Sequence, residues 1–521
     1  MKKKSLFLFV LTFFIFKNGF AQQVITSPQI DSLVERVLTT FDVPGIAVGV
    51  LKDGKLIHAK GYGVRSLDTK KKVDENTLFG IASNSKAFTA AALGMLIDEG
   101  KLNWDDKVTD FIPDFKMYNP YVTEEFTVRD LLTHRSGLGL GAGDLMMFPD
   151  SSNFTKKDII HNLRYLKQVS SFRTKYDYDN NLYIVAGEVV AKVSGMSWED
   201  FVEKRIMQPL GMTKTAASIS RLKDKSNIIT PHAPVDGKIK TIVIDWSETA
   251  NAAGGICSNI TDLAKWLTMQ MNNGKYGDSL TKQLFSENVH DEMWTMQTII
   301  PVRGTTPYNT HFAGYGLGWF LSDVKGMKQA THTGGLAGVV TQITLLPEMK
   351  LGIIVLTNQQ SGAAFTAITN TIKDSYFGIT GIDRVKQIHD RVVAGEADAK
   401  KITGDIWTKV EAQQKSGAVK IALDSFAGTY TDKWFGDIVL SVKDGKMRCN
   451  SKRSPKLRGD VFYYKANTFV VKWDDRSMDA DAFMQFSLNP EGKADGLKMN
   501  AISPLTDFSF DFQDLEFKRV K

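Results

Sequence analysis

Apolar positions along this chain follow two repeats, one of strands and one of helices. Residues 46–51 (IAVGVL) and 56–61 (LIHAKG) are short apolar runs flanking Lys52-Asp53-Gly54-Lys55. A D-G pair between such runs predicts a β-hairpin. Over 84–99 the repeat changes. Phe88, Ala91, Ala92, Met95 and Leu96 fall on one face at helical spacing, and Gly100 supplies the stop. Further helices are expected at 182–194 and 261–272. Strands are expected at 315–321, 338–346 and 351–357, the last two joined around Glu348-Met349-Lys350. Strands at both ends with helices between them predict an α/β domain over 25–383, its sheet joining the N- and C-terminal parts.

The pattern changes after that domain. Residues 384–420 are charged, helix-prone and poor in large aliphatics, as in a helical linker or surface helix. Residues 421–521 read as strands throughout, with D-G, K-A-N and P-E-G turns. They predict a small all-β barrel or sandwich. At the other end, three lysines precede the apolar run Ser5 to Phe16, and Gly19-Phe20-Ala21 is a small-x-small site. Residues 1–21 therefore read as a signal peptide, with an exported (periplasmic or secreted) mature protein. The run is too short to cross a hydrocarbon core of about 30 Å. No later stretch is long and apolar enough to be a membrane span.

The 521 residues suffice for two or three domains, and 43% hydrophobic with 24% charged residues suits a large buried core. Of the formal charge of +7, four units belong to Lys2, Lys3, Lys4 and Lys17 in the leader. The remainder is too weak for a nucleic-acid partner. The histidines show no metal spacing, so no metal site and no cofactor are expected. Cys257 and Cys449 are the only cysteines, and their pairing stays open.

The chemistry centres on Ser83-Asn84-Ser85-Lys86. Residues at i and i+3 share a helix face, which brings the Lys86 amine to the Ser83 hydroxyl. A serine needs a neighbouring base to become a nucleophile, and a lysine serves if burial lowers its pKa. The same S-x-x-K spacing occurs at Ser220, Ser279 and Ser322. Only the first follows a strand-like segment and a Gly80 turn and opens a buried helix. Two further segments carry candidate groups. Tyr178-Asp179-Asn180 precedes an apolar helix, and His332-Thr333-Gly334-Gly335 precedes a strand. A phenolate can relay a proton, an asparagine can hold an amide, and glycines let a substrate lie along the backbone. His134 and Cys257 read as buried structural residues. Met146-Met147-Phe148 reads equally as a lid or as packing.

S-x-x-K, Y-x-N and H-T-G in this order resemble the penicillin-recognising serine hydrolases, within them the class C β-lactamase-related branch. The stretches FGIASNSKAFTAAALGMLIDEGKLNWDD, DLLTHRSGL, NAAGGICSNITDLAKWL, GYGLGW and HTGGLAGVVTQITLLPE extend the resemblance over roughly residues 30–380. It implies a β-lactamase/transpeptidase-like sheet flanked by helices, with a helical subdomain. It also implies Ser83 as nucleophile, Lys86 as activator, Tyr178 as general base and Asn180 as substrate-amide contact. The oxyanion hole would be the N–H groups of Ser83 and Gly335, with His332, Thr333 and Gly334 along the substrate strand. FAGTYTDKWFGDIVL and the sequence beyond it resemble a lipocalin-like accessory domain. One departure matters: His332 stands where classical β-lactamases and transpeptidases have lysine. A fixed cation for a substrate carboxylate is missing there. The expected activity is thus hydrolysis of ester, amide or D-amino-acid peptide bonds in a small-molecule or peptide substrate through an acyl-enzyme. The alternatives are a β-lactamase or D-Ala-D-Ala carboxypeptidase, and a non-catalytic binding protein on a hydrolase scaffold.

Overall fold

The computed structural model describes residues 24–244, 246–304, 307–416 and 422–520. The candidate signal peptide lies outside the described residues. The main sheet has eight antiparallel strands: β1 (Gly45–Lys52), β2 (Lys55–Gly63), β3 (Thr298–Ile299), β4 (Ala313–Tyr315), β5 (Phe320–Val324), β6 (Met327–Leu336), β7 (Val339–Leu346) and β8 (Leu351–Thr357). Their order is β2-β1-β8-β7-β6-β5-β4-β3. The first hairpin turns at Asp53 and Gly54, both at positive φ (52° and 75°), which explains the D-G pair. β1 beside β8 makes the N- and C-terminal parts of the domain one sheet, with Val48 opposite Val355.

The two faces of that central pair follow from the alternation of side chains along a strand. Ile46, Val48, Val50, Ile353 and Val355 pack with α1 (Ser27–Thr40) and α5 (Gly362–Phe377). Ala47, Leu51, Ile354 and Leu356 face the interior that holds α2 (Lys86–Asp98) and α4 (Ile260–Met271). A Cβ on Gly49 would lie 2.6 Å from Ile260, so glycine there lets α4 rest on the sheet. α2 is buried from Lys86 to Leu96 on all sides, not on one face only. α3 (Asn181–Ser194) packs beside it.

One expected strand divides. Residues 315–321 are not continuous, because Gly316–Trp319 turn between β4 and β5. Gly318 has φ +80°, and a Cβ there would meet the Ala87 amide nitrogen at 2.9 Å. The turn exists so that this loop can sit on the first residues of α2.

Arg384–Ser416 form one helix, α6, of 33 residues. It runs along α5, and its Ile406 and Val410 pack with Tyr464, Val470 and Ile502 of the C-terminal part. That part is a closed barrel of eight antiparallel strands in chain order: β9 (Gly428–Asp432), β10 (Gly436–Lys443), β11 (Lys446–Ser451), β12 (Arg458–Lys465), β13 (Thr468–Trp473), β14 (Ala482–Leu488), β15 (Ala494–Ala501) and β16 (Phe517–Arg519). The space among Phe435, Cys449, Trp473 and Phe512 is about 10 Å³, too small for a ligand. The barrel docks on the helical region around 141–167. Asn162 Nδ2 donates to the Trp434 carbonyl at 2.8 Å, and Arg453 pairs with Asp158 at 2.9 Å while lying 3.8 Å over the Phe154 ring.

Cys257 and Cys449 are both buried and unpaired, one in each domain. Among the described residues no helix is long and apolar enough to cross a membrane.

Candidate active site

Ser83 sits in a single 3-10 turn, Ala82–Ser85, that runs directly into α2. The sequence suggests Gly80 as the turn residue, but the left-handed residue is Ala82, at φ 49°. Such a conformation costs a non-glycine residue about 1–3 kcal/mol and persists only where its surroundings enforce it. Here the Ile81 amide donates to Ile256 O at 2.8 Å. The Thr341 hydroxyl and the Asn84 amide both donate to Ile81 O, at 2.9 and 3.1 Å. Gly80 has a different reason: a Cβ there would lie 2.7 Å from the Trp246 ring.

Lys86 is 0% exposed. Its Nζ donates to Ser83 Oγ at 3.0 Å, to Asn180 Oδ1 at 2.7 Å and to Ala253 O at 2.9 Å. Burial lowers its pKa to about 7, against the opposing pull of Asp144 and Asp179. The amine is therefore largely neutral just above neutrality; its two N–H groups then donate to Asn180 and Ala253, and its lone pair faces the Ser83 hydroxyl.

Tyr178 lies with its ring centroid 4.8 Å from Lys86 Nζ. Burial pushes its phenol well above the ordinary value, and the Ser83 side chain beside it draws it back only in part. The hydroxyl makes no hydrogen bond of full geometry. This environment favours the neutral phenol over the phenolate. Asn180 is oriented from two sides. Its Oδ1 accepts a hydrogen bond from Lys86 Nζ, and its Nδ2 donates to Asp144 Oδ2 at 2.8 Å.

The C-terminal end of β6 is free along one edge. β5 pairs with it only as far as Thr331, which leaves residues 332–336 open on that side. Thr333 and Gly335 are exposed and line a cleft of about 1160 Å³ with Ser83 and Tyr178. Gly334 instead points inward: a Cβ there would lie 2.4 Å from Ile81 O and 2.8 Å from Ala82 Cβ. It is a close-approach glycine behind Ser83, and it is not among the residues that line the cleft. His332 borders the cleft but is 1% exposed. Its Nδ1 donates to Thr333 O at 2.6 Å, so its Nε2 accepts from the Tyr315 hydroxyl at 2.9 Å. Burial, with Lys86 nearby, lowers its pKa to about 3. His332 thus holds neither a charge nor a free nitrogen for a substrate.

His134 is buried at φ 53°, its Nδ1 accepting from the Asp179 amide at 3.0 Å and its ring 4.2 Å from that of Tyr178. Met146 is in the core, whereas Met147 and Phe148 border the cleft. Sequence reasoning missed Asp144, Asp179 and Tyr315. Asp144 carries a trace in the sequence, the glycines at 141 and 143, which take φ +70° and +78° to turn it inward.

The two strand glycines make opposite predictions. Gly334→Ala should destabilise the protein by about 1–3 kcal/mol, the usual effect of overpacking, and impair catalysis by displacing Ala82. Gly335→Ala meets nothing within 4 Å and should melt as wild type. Thermal unfolding of both variants checks this, and equal melting of Gly334→Ala and wild type would contradict the inward packing.

A serine held 3.0 Å from a buried amine, beside an open strand edge on this α/β scaffold, defines the candidate site of a beta-lactamase-fold protein. The chain belongs to the beta-lactamase family, whose profile matches residues 30–375, and a domain of unknown function (DUF3471) matches residues 412–519. It is 29% identical to the unguisins hydrolase ungD of Aspergillus violaceofuscus, over 80% of this chain and 76% of that one. It is 27% identical to the protein flp of Staphylococcus aureus, over 64% and 63%. In fold it resembles an octameric penicillin-binding protein homologue from Pyrococcus abyssi, with TM-score 0.61, 22% identity and 95% and 100% coverage of the two chains. A class C beta-lactamase aligns with TM-score 0.54, 20% identity and 68% and 96% coverage.

Proposed function

We propose that the protein hydrolyses amide, ester or D-amino-acid peptide bonds through an acyl-enzyme on Ser83. The observation that carries this reading is the wholly buried Lys86 Nζ, 3.0 Å from Ser83 Oγ. The neutral amine takes the serine proton, and the alkoxide attacks a carbonyl lying along the free end of β6. The developing oxyanion is held by the N–H groups of Ser83 and Gly335, two residues that line the same cleft. Tyr178 relays the proton held by Lys86 to the leaving amine or alcohol, which returns Lys86 to the free amine; water then attacks the acyl-enzyme, giving one proton through Lys86 back to Ser83 Oγ as the acyl group leaves as an acid. A relative named as a hydrolase of unguisins supports the hydrolytic reading, and the cleft of about 1160 Å³ has room for a substrate beside Ser83.

The cleft also favours substrates without a carboxylate beside the scissile bond. Neutral His332 supplies no cation there. On the barrel side, Asp474, Asp475, Asp479 and Asp507 outnumber Lys456 and Arg476. The test is kcat/KM for a neutral nitrophenyl ester, a neutral D-amino-acid amide and a carboxylated β-lactam, beside labelling by a fluorophosphonate. Labelling with preferred turnover of the neutral substrates is expected. Preferred turnover of the β-lactam would overturn the substrate assignment, and absence of labelling would overturn the mechanism.

A further inference from the structure

The C-terminal barrel reaches the catalytic centre. The segment joining β15 to β16 lines the same cleft as Ser83 through Leu505, Asp507, Phe508, Ser509 and Phe510. The Phe508 ring stands edge-on to Tyr178, with centroids 5.8 Å apart at 78°. Its seat is Gly141, where a Cβ would lie 2.7 Å from the Phe508 carbonyl oxygen. Ser509 Oγ donates to Asp144 Oδ2 at 2.9 Å, the same oxygen that accepts from Asn180 Nδ2 at 2.8 Å. Asp511 accepts from the amides of Gly143 and Leu145, at 2.6 and 2.9 Å. The turn that presents Asp144 is thus clamped by the barrel on both sides, and Asp144, Asn180 and Lys86 form one chain of contacts to the nucleophile.

We propose that the barrel is a working part of the active site: Ser509 positions Lys86 through Asp144 and Asn180, and Phe508 with Leu505 forms a wall that selects substrates carrying an apolar group. The proposal rests on the Ser83 acyl-enzyme reading. Phe508 is 40% and Leu505 52% exposed within the cleft, and Leu140 and Val243 line it as further exposed apolar side chains. Apolar surface held open in a cleft beside the nucleophile gains by covering a substrate side chain. Burial holds the Asp144 carboxyl well above its ordinary value; the hydrogen bonds from Asn180 and Ser509 oppose this, and the anion they favour in turn favours protonated Lys86. The other titratable groups facing this chain are Asp179, Asp511, Tyr178, Tyr183, His134 and His332.

The experiment uses the full chain with Ser509→Ala, Ser509→Thr, Phe508→Ala and, as a barrel-surface control, Leu488→Ala. It measures the fluorophosphonate labelling rate against pH, melting temperature, and kcat and KM for a nitrophenyl acetate and a nitrophenyl phenylacetate. Ser509→Ala should slow labelling roughly tenfold, on the order of one lost positioning contact. It should also move the acid limb of the labelling profile to lower pH, with Ser509→Thr recovering both. A loss of barrel docking alone would lower the melting temperature and leave the limb in place. Phe508→Ala should raise KM for the phenylacetate roughly tenfold over that for the acetate, with kcat within about twofold. Leu488→Ala should match wild type. A wild-type chain that resists labelling would refute the Ser83 reading itself. A labelled wild type with unchanged Ser509→Ala and Phe508→Ala would overturn the barrel's role alone. If Ser509→Ala does not fold, the KM ratio of Phe508→Ala decides, and an unchanged ratio overturns the proposal.

Discussion

Ser83→Ala should abolish both hydrolysis and covalent labelling, with turnover falling by roughly 10⁵–10⁶, the scale seen when a serine nucleophile is removed. Of the three groups that Lys86 Nζ contacts, Asn180 Oδ1 and Ala253 O are carbonyl oxygens without a proton to give. Only the Ser83 hydroxyl can be activated by this amine. Neither His332 nor Tyr178 substitutes for it. His332 has both ring nitrogens engaged, and burial holds the Tyr178 phenol neutral. Residual catalysis would come from the oxyanion donors and from substrate binding, which the variant keeps. The fold should persist, because the substitution removes one hydroxyl and leaves the Ala82 conformation and the Ile81 contacts in place. Loss of labelling with an unchanged melting temperature is the expected pair of results. Turnover above about one per cent of wild type would remove Ser83 from its role.

The pairing of Ser83 with Lys86 is legible in sequence because it is local. Three residues along a helical turn bring the two side chains together whether the turn is 3-10 or α. The D-G hairpin, α2 and the strand pair β7–β8 are legible for the same reason: each is set by spacing and turn chemistry over a few residues. Tyr178, Asn180 and Gly335 lie far along the chain from Ser83, and no periodicity joins them to it. Only resemblance to a known family does. His332 shows the limit of that route. Its place on β6 follows from the H-T-G motif, but the engagement of its Nε2 by Tyr315 depends on the turn at Gly316–Trp319. That turn in turn depends on how closely Gly318 approaches α2. Asp144 and Ser509 were harder still. An acid in a glycine-rich loop and a serine near the C-terminus are 365 residues apart. Their contact is a property of how two domains dock, which local pattern does not encode.

Lys86→Ala should lower the acylation rate by about 10²–10⁴, the range for loss of a positioned base, equivalent to about 3–5 kcal/mol of barrier. The sign of the pH dependence follows from the direction of the lysine's shift. An exposed lysine titrates near 10.4 and would be almost wholly protonated at neutral pH. Burial brings Lys86 to about 7 because the charged form loses more solvation than Asp144 and Asp179 return. The free amine is the active form, so wild-type kcat/KM should rise about tenfold per pH unit below 7 and level above it. Lys86→Ala should lose this limb along with the rate. A short alkylamine in solution should restore part of the activity, rising with the amine's own free-base fraction towards pH 10. Lys86→Arg should stay inactive at every pH, since a guanidinium cannot release its proton. The measurement is the fluorophosphonate labelling rate of the three proteins from pH 5 to pH 10, with and without added amine. A wild-type profile flat through pH 7, or a Lys86→Arg variant that labels at the wild-type rate, would show that the cation at this position, and not a free amine, is what Ser83 requires.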